Sequence, residues 1–392
     1  RREAVLSCFR KHKLDESAFH GVNGYGHGDI GREKMDLIIA ELMGAEAALV
    51  RVQMFSGTHA IASALFGALR PGDKMLCVSG PPYDTLEEVI GTRGGEEGSG
   101  SGSLRDWGIL YGEIDMIARG RRFDLETIRA LLEDKKENIK LLHVQRSCGY
   151  QWRPSIPIAE IKRLCTFVKE ELNRADVAIF VDNCYGELVE TQEPCHVGAD
   201  LVAGSLIKNL GGTIAPAGGY VAGRADLVQK AARHLSAPGV EGGATFRQYK
   251  DLFQGLFLAP VVIGESLKGA ELIASVFTEL GYECNPPPGS HRTDIIQAVK
   301  FGDRAHLIDF CEVVQHNSPV CSYVRPVPGH TSGYGDEVIF ADGTFIEGST
   351  LELSADGPLR EPFVAYTQGA THWSHWQIVL RHFLERRSTH DA

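Results

Sequence analysis

Every residue from Val177 to Val181 is apolar, at odd and even positions alike, and the run stops at Asp182-Asn183. Side chains of a strand point alternately to its two faces, so a run of this kind needs cover on both. Further runs at Ala47–Gln53, Lys74–Ser79, Ile109–Tyr111 and Ile139–Val144 read as extended. Between them lie helix-like stretches at Met35–Met43, Ala60–Leu69, Leu86–Ile90, Leu125–Leu132 and Ile158–Leu172. This alternation, from about Arg32 to Arg233, predicts an α/β fold: a mainly parallel central sheet covered by helices on both faces. Pro286-Pro287-Pro288 marks a boundary. The expected organisation is an N-terminal arm and helix (1–45), a large α/β domain (46–285) and a smaller C-terminal α/β domain (286–392) ending in a helix around Trp376–Glu385. Glu96–Ser103 reads as a low-complexity loop, and no internal repeat is visible.

A chain of 392 residues can bury a large core. Its formal charge of −11 argues against nucleic acid or an anionic membrane as a partner. No apolar run approaches membrane-spanning length. The nine cysteines are scattered without a Cys-x-x-Cys pair, which predicts reduced thiols in a cytosol-like compartment. The chain opens Arg1-Arg2 without an initiator Met and reads as trimmed or as a fragment, so an organellar address stays open beside the cytoplasmic one.

Open parallel sheets bind ligands at the carboxyl ends of their strands. Asp182 falls at such an end. Phe55-Ser56-Gly57-Thr58-His59 falls at another, where a turn of small residues opens a helix and offers free N–H groups to a phosphate. Downstream, Gly204-Ser205-Leu206-Ile207-Lys208 delivers a lysine after a glycine-flanked turn. One cofactor needs this set. Pyridoxal phosphate is held covalently by a lysine, and a carboxylate keeps its ring nitrogen protonated. Lys208 and Asp182 fill those parts, with Ser56, Gly57, Thr58 and Ser205 for the phosphate. Tyr83, in Pro81-Pro82-Tyr83-Asp84, is placed to stack on the ring.

Other motifs carry less. Gly26-His27-Gly28-Asp29-Ile30-Gly31 has the Gly-x-Gly-x-x-Gly form, but no apolar strand precedes it and no ribose-binding acid follows at the usual distance. His372 and His375 have metal-pair spacing without a third ligand nearby, so no metal is expected. Cys184 reads as a packing residue near the site.

With these residues assembled, the chain resembles the cystathionine β-lyase-like proteins of the aluminium-resistance or methionine γ-lyase family, fold-type-I pyridoxal phosphate enzymes. The matching stretches span nearly the whole chain. They include Gly24-Tyr25-Gly26-His27-Gly28-Asp29, Phe55-Ser56-Gly57-Thr58-His59-Ala60 and Gln145-Arg146-Ser147-Cys148-Gly149-Tyr150. Later ones are Val181-Asp182-Asn183-Cys184-Tyr185-Gly186-Glu187, Leu206-Ile207-Lys208-Asn209 and Glu352-Leu353-Ser354-Ala355-Asp356-Gly357-Pro358-Leu359-Arg360.

The resemblance implies that Lys208 carries the cofactor and shuttles protons, with Asp182 and Tyr83 beside it. It implies a site at a homodimer interface, in a homodimer or homotetramer. In the better-known lyases a neighbouring subunit's Tyr-x-Arg pair completes the phosphate site. Here Tyr25 takes the tyrosine's place, but His27 stands where the arginine would be, with Arg32 the substitute to consider. Ile207 replaces the threonine those lyases carry before the lysine. Arg360 is the candidate for the carboxylate of an amino-acid substrate, since a guanidinium grips a carboxylate with two hydrogen bonds.

The expected reaction is β- or γ-elimination from a sulfur-containing amino acid such as cystathionine, methionine or cysteine, giving a 2-oxo acid, ammonia and a thiol. Freed Lys208, with its pKa lowered by burial and by the cationic cofactor, would take the α-proton. The alternatives are an aminotransferase-type reaction on the same cofactor, or a cofactor-binding metal-tolerance protein with little lyase activity.

Overall fold

A computed structural model describes residues 1–93, 102–116, 122–240, 242–243 and 249–390; Glu96–Ser101 of the expected low-complexity loop lies outside them. The N-terminal arm carries helix α1 (Arg2–Lys11) and then α2 (Ile30–Met43). Asp29 caps α2 by accepting from the Arg32 N–H, and Gly44, in the left-handed region, ends it. Strand and helix then alternate as β1 (Ala47–Arg51), α3 (Gly57–Ala68), β2 (Lys74–Cys77), α4 (Asp84–Ile90), β3 (Leu110–Glu113), α5 (Leu125–Glu133) and β4 (Ile139–Gln145). They continue with α6 (Ile158–Thr166), β5 (Ala178–Asp182), β6 (Leu201–Ser205), β7 (Gly219–Gly223) and α7 (Ala225–Leu235).

These strands form one seven-stranded sheet in the order β1-β7-β6-β5-β4-β2-β3. It is parallel from β6 through β3. Strand β7 runs antiparallel to both β6 and β1. The continuous apolar runs have the expected cause. Ile179 and Val181 enter the core on one face, while Ala178 and Phe180 enter the core on the other. Leu142 and Val144 of β4 side with the first face and Leu141 with the second. Both faces are covered there, so these positions are apolar on either side of the strand. The long helix predicted over 158–172 closes in two parts: α6 is followed by a π-helical stretch, Phe167–Glu171, that keeps Phe167 and Val168 buried.

The 31-residue helix α8 (Tyr249–Glu279) spans about 45 Å and serves two cores. Leu252 and Phe253 pack under the large sheet, whereas Ile273 and Phe277 pack under a second one. That second sheet is built from β8 (Glu283–Asn285), β9 (Gln297–Lys300), β10 (Val338–Ala341), β11 (Ser354–Pro358) and β12 (Val364–Gln368). Its order is β10-β11-β12-β9-β8, antiparallel throughout. Helices α9 (Arg304–His316) and α10 (Ser374–His390) cover it. Phe277, Phe301, Phe310 and Phe383 make its aromatic centre, with Phe277 and Phe310 ring centroids 5.3 Å apart. Among the described residues no helix is long and apolar enough to cross a membrane.

Candidate active site

The carboxyl ends of β4, β5 and β6 open onto a cavity of about 530 Å3. Register brings them there together: Gln145 of β4 sits opposite Asp182 of β5, and Asp182 opposite Ala203 of β6. Ser56, Gly57, Thr58, Tyr83, Asp182, Ser205 and Lys208 all line this cavity. Residues spread over some 150 positions of sequence therefore meet in one place, because each ends a strand or opens the turn that follows it.

The floor is the start of α3. Ser56 caps this helix by accepting from the His59 N–H at 3.1 Å. The Gly57 and Thr58 N–H groups then have no acceptor within the helix, and the helix dipole adds positive potential. Gly57 lies in close approach: a Cβ there would be 3.2 Å from both Cys184 Sγ and Ser205 Cβ, tighter than ordinary contact. The Thr58 hydroxyl accepts from Tyr83 Oη at 2.9 Å, and Ser205 Oγ accepts from the Ile207 N–H at 3.3 Å. Thr350 Oγ1 faces the same cavity, buried and with no hydrogen-bond partner. Hydroxyls, free N–H groups and an orphan donor around a void fit a phosphate-bearing cofactor.

The described lining carries five carboxylates, Asp84, Asp182, Asp342, Glu347 and Asp356, against one amine. Asp182 accepts from the Cys184 N–H at 3.1 Å; burial raises its carboxyl, and that N–H and Lys208 restrain the rise. Lys208 donates from Nζ to Tyr185 Oη at 2.8 Å. Burial pulls the ammonium down, but Tyr185, Cys184 and Asp182 outweigh it and hold Lys208 well above its ordinary value. The expected lowering concerned the freed amine beside the cationic cofactor; the chain's own groups alone raise it. Desolvation does act, yet the cavity places a phenol and a carboxyl around the amine. Lys208 is also the only cation among the described lining residues. Burial and Asp182 raise the Tyr83 hydroxyl, so it keeps its proton.

Two further residues shape the site without having stood out in sequence. Tyr185 holds Lys208 and adopts the left-handed backbone region (φ 71°), while its carbonyl accepts from Asn209 Nδ2 at 2.9 Å. A bulky residue at positive φ needs compensation from its surroundings. Its sequence signals are its position three residues after Asp182 and its place in a stretch that carries the family resemblance. Gln145 fixes Tyr83: its Oε1 accepts from the Tyr83 N–H at 2.7 Å.

Three residues considered from the sequence, Tyr25, Arg32 and Arg360, are not among the described lining. Tyr25 is 71 % exposed, its ring stacked on His27, outside the cavity lining. Arg32 donates to the Gly243 carbonyl at 2.8 Å. Arg360 stands outside the lining too, in an exposed ion pair with Asp336 at 2.7 Å. Its charge nonetheless bears on Tyr366 of the cavity wall, a hydroxyl raised by burial and drawn back by Arg360. Cys184 lines the cavity with its thiol raised by burial and by Asp182, as suits a packing residue. His375 contacts the Asn317 carbonyl at 2.7 Å and His372 contacts Ser374 Oγ at 2.7 Å, so each ring of that pair has a neighbour of its own.

The family model described as Methionine gamma-lyase matches residues 1–388. The chain belongs to that family. Its similarity extends to the Bacillus subtilis (strain 168) protein YnbB, itself uncharacterized, at 49% identity over 373 residues, 95% of this chain and 86% of that one. A putative cystathionine beta-lyase involved in aluminum resistance from Clostridium acetobutylicum superposes with a TM-score of 0.92 at 42% identity, covering 98% of this chain and 88% of the other. A carbon-sulfur lyase involved in aluminum resistance from Clostridium novyi NT gives a TM-score of 0.91 at 45% identity, covering 98% and 89%. The architecture of this family member is that of the fold-type-I pyridoxal phosphate enzymes.

Proposed function

We propose that the chain is a pyridoxal phosphate-dependent carbon–sulfur lyase that eliminates a thiol from a sulfur-containing amino acid and leaves a 2-oxo acid and ammonia. The observation that carries this reading is Lys208 Nζ, the one amine among the described lining residues, held 2.8 Å from Tyr185 Oη beside the buried Asp182. The Gly57 and Thr58 N–H groups, with the Thr58 and Ser205 hydroxyls, would hold the phosphate. Asp182 would face the ring nitrogen, and Tyr83 would lie against the ring. Pyridoxal phosphate, when bound, supplies an electron sink that acidifies the Cα proton of an amino acid.

The chain's own groups do the proton work. Lys208, released as a free amine, takes the Cα proton and returns it elsewhere on the substrate. Tyr185 supports that amine from 2.8 Å and sets which way it points. The departing sulfur takes its proton from Lys208 or from Tyr83, whose hydroxyl keeps its proton. Water then completes the release of ammonia. Arg360, whose charge bears on Tyr366 of the wall, remains the candidate grip for the substrate carboxylate. A second copy of the chain supplying Tyr25 across a homodimer interface is part of this proposal. In its support, Tyr25 and the cavity-lining Phe55 are both exposed, at 71 % and 87 %.

The test is the visible spectrum of the purified protein with pyridoxal phosphate, before and after L-cystathionine, L-methionine and L-cysteine, with thiol and 2-oxo acid assayed alongside. A cofactor band that responds to one of them, with both products appearing, is the expected result. Amino-group transfer that depends on an added 2-oxo acid would replace the lyase with an aminotransferase. Failure to take up the cofactor would remove the reading altogether.

A further inference from the structure

Tyr185, which holds Lys208, stands in a turn whose sequence does not suit its backbone. The Gly186 N–H donates to the Asn183 carbonyl at 3.0 Å, so Cys184 and Tyr185 are the two central residues of an Asn183–Gly186 turn. Tyr185 takes the second central position at φ 71°, a conformation that turns normally give to glycine or asparagine. The glycine comes one residue later, at 186, where the backbone is not left-handed. What position 186 lacks is room: a Cβ there would lie 2.5 Å from Arg146 Nη1 and 2.7 Å from Arg146 Cδ and Cζ. Arg146 follows β4 directly and is fully buried. Its Nη1 donates to Asn183 Oδ1 at 2.8 Å and to the Gly186 carbonyl at 2.9 Å, one at each end of the turn. Its Nη2 donates to Glu190 Oε2 at 2.6 Å, and its backbone N–H to the Asp182 carbonyl at 3.0 Å.

A bulky residue stays at positive φ only where its surroundings over-determine the backbone. A planar guanidinium does this well, because its rigid fork fixes several acceptors at once. We propose that Arg146 is a positioning residue for the reacting amine: it clamps the Asn183–Gly186 turn at both ends and so holds the Tyr185 hydroxyl 2.8 Å from Lys208 Nζ. The contacts run from Arg146 through the turn to Tyr185 and on to Lys208. Position 186 is a glycine for the sake of the guanidinium, and Tyr185 keeps its unfavourable backbone for the sake of the lysine. The inference rests on Lys208 as the reacting amine of the lyase reading, but not on which bond is broken.

The test uses cofactor-free protein. Acylation of Lys208 by acetic anhydride is followed against pH, by mass spectrometry of the peptide that contains it. Tyr185, Cys184 and Asp182 hold the Lys208 ammonium up, and Tyr83, Tyr334 and Asp356 also feel its charge. Loss of the Tyr185 contact therefore moves the acylation midpoint to lower pH. Arg146→Lys keeps the charge but loses the fork, and should lower the midpoint by about one pH unit. Gly186→Ala, which crowds the guanidinium off the turn, should move it in the same direction. In a Tyr185→Phe background neither substitution should move it further, since Arg146 acts through Tyr185. A midpoint that rises or stays put in either variant would overturn the proposal, as would shifts that add in full to that of Tyr185→Phe. Should Arg146→Lys not fold, Gly186→Ala in the two backgrounds decides by itself. The expected shifts in a protein that, once loaded, releases no thiol would keep the clamp and remove the lyase reading.

Discussion

The two walls of the cavity follow different construction rules. The α3 wall is assembled from strand ends and the turns that follow them: Ser56 to Thr58 after β1, Asp182 at the end of β5, Ser205 and Lys208 at and after β6. Each group is local to its own strand, and the parallel sheet brings all of them to one edge. The opposite wall takes Tyr334 from a loop, Asp356 and Gln368 from the antiparallel sheet, and Tyr150 from the large domain. No repeated unit places these side chains; the packing of one sheet against the other does. The α3 wall is thus held by the general architecture of the parallel sheet, whereas the opposite wall depends on how the two sheets dock.

Three substitutions sharpen or break that division. Lys208→Ala should cost the most, removing the visible cofactor band and lowering turnover by at least about 10³-fold. An unchanged band would show that another amine does this work and that the α3 wall has been misassigned. Tyr185→Phe should come next, with turnover falling roughly 10- to 100-fold and the protein staying folded. Tyr185 helps to hold the Lys208 pKa up, so its loss should lower that pKa. In cofactor-free protein, Lys208 should then react with an amine-acylating reagent from a lower pH than before. A shift to higher pH, or none, would contradict the role given to the 2.8 Å contact. Arg360→Ala should do least. Its partner Asp336 is exposed, so stability should change by no more than about 1 kcal/mol. The expected effect is a raised KM for the amino acid with cofactor uptake unaltered. Lost cofactor would move Arg360 to the other wall.

Much of the first wall was legible because each of its residues sits at a strand end, and a strand buried on both faces advertises its end. Val177–Val181 can stop only where the chain meets solvent or a ligand, and Asp182 is that stop. Ser56-Gly57-Thr58 could be read because helix starts need a cap and free N–H groups. The exact start of α3 at Gly57, ahead of the expected Ala60, follows from the Ser56 side chain capping the His59 N–H. The second wall had no comparable signal. Tyr150 lay inside a stretch quoted for family resemblance, yet nothing nearby in sequence says that it bonds Asp356.

The direction of the Lys208 shift was equally out of reach of sequence. Burial alone predicts a lowered amine, and only the placement of Tyr185 and Asp182 reverses the sign. Sequence by itself determined the α/β alternation, the buried strands and the residues at their ends, because hydrophobic periodicity and capping act over a few neighbours. The tertiary structure decided that Tyr185 meets Lys208, that Asp356 meets Tyr150 and Gln368, and that Arg360 pairs with Asp336 at the surface. Those outcomes depend on the register of strands and the docking of two sheets, which contacts between residues far apart in the chain bring about.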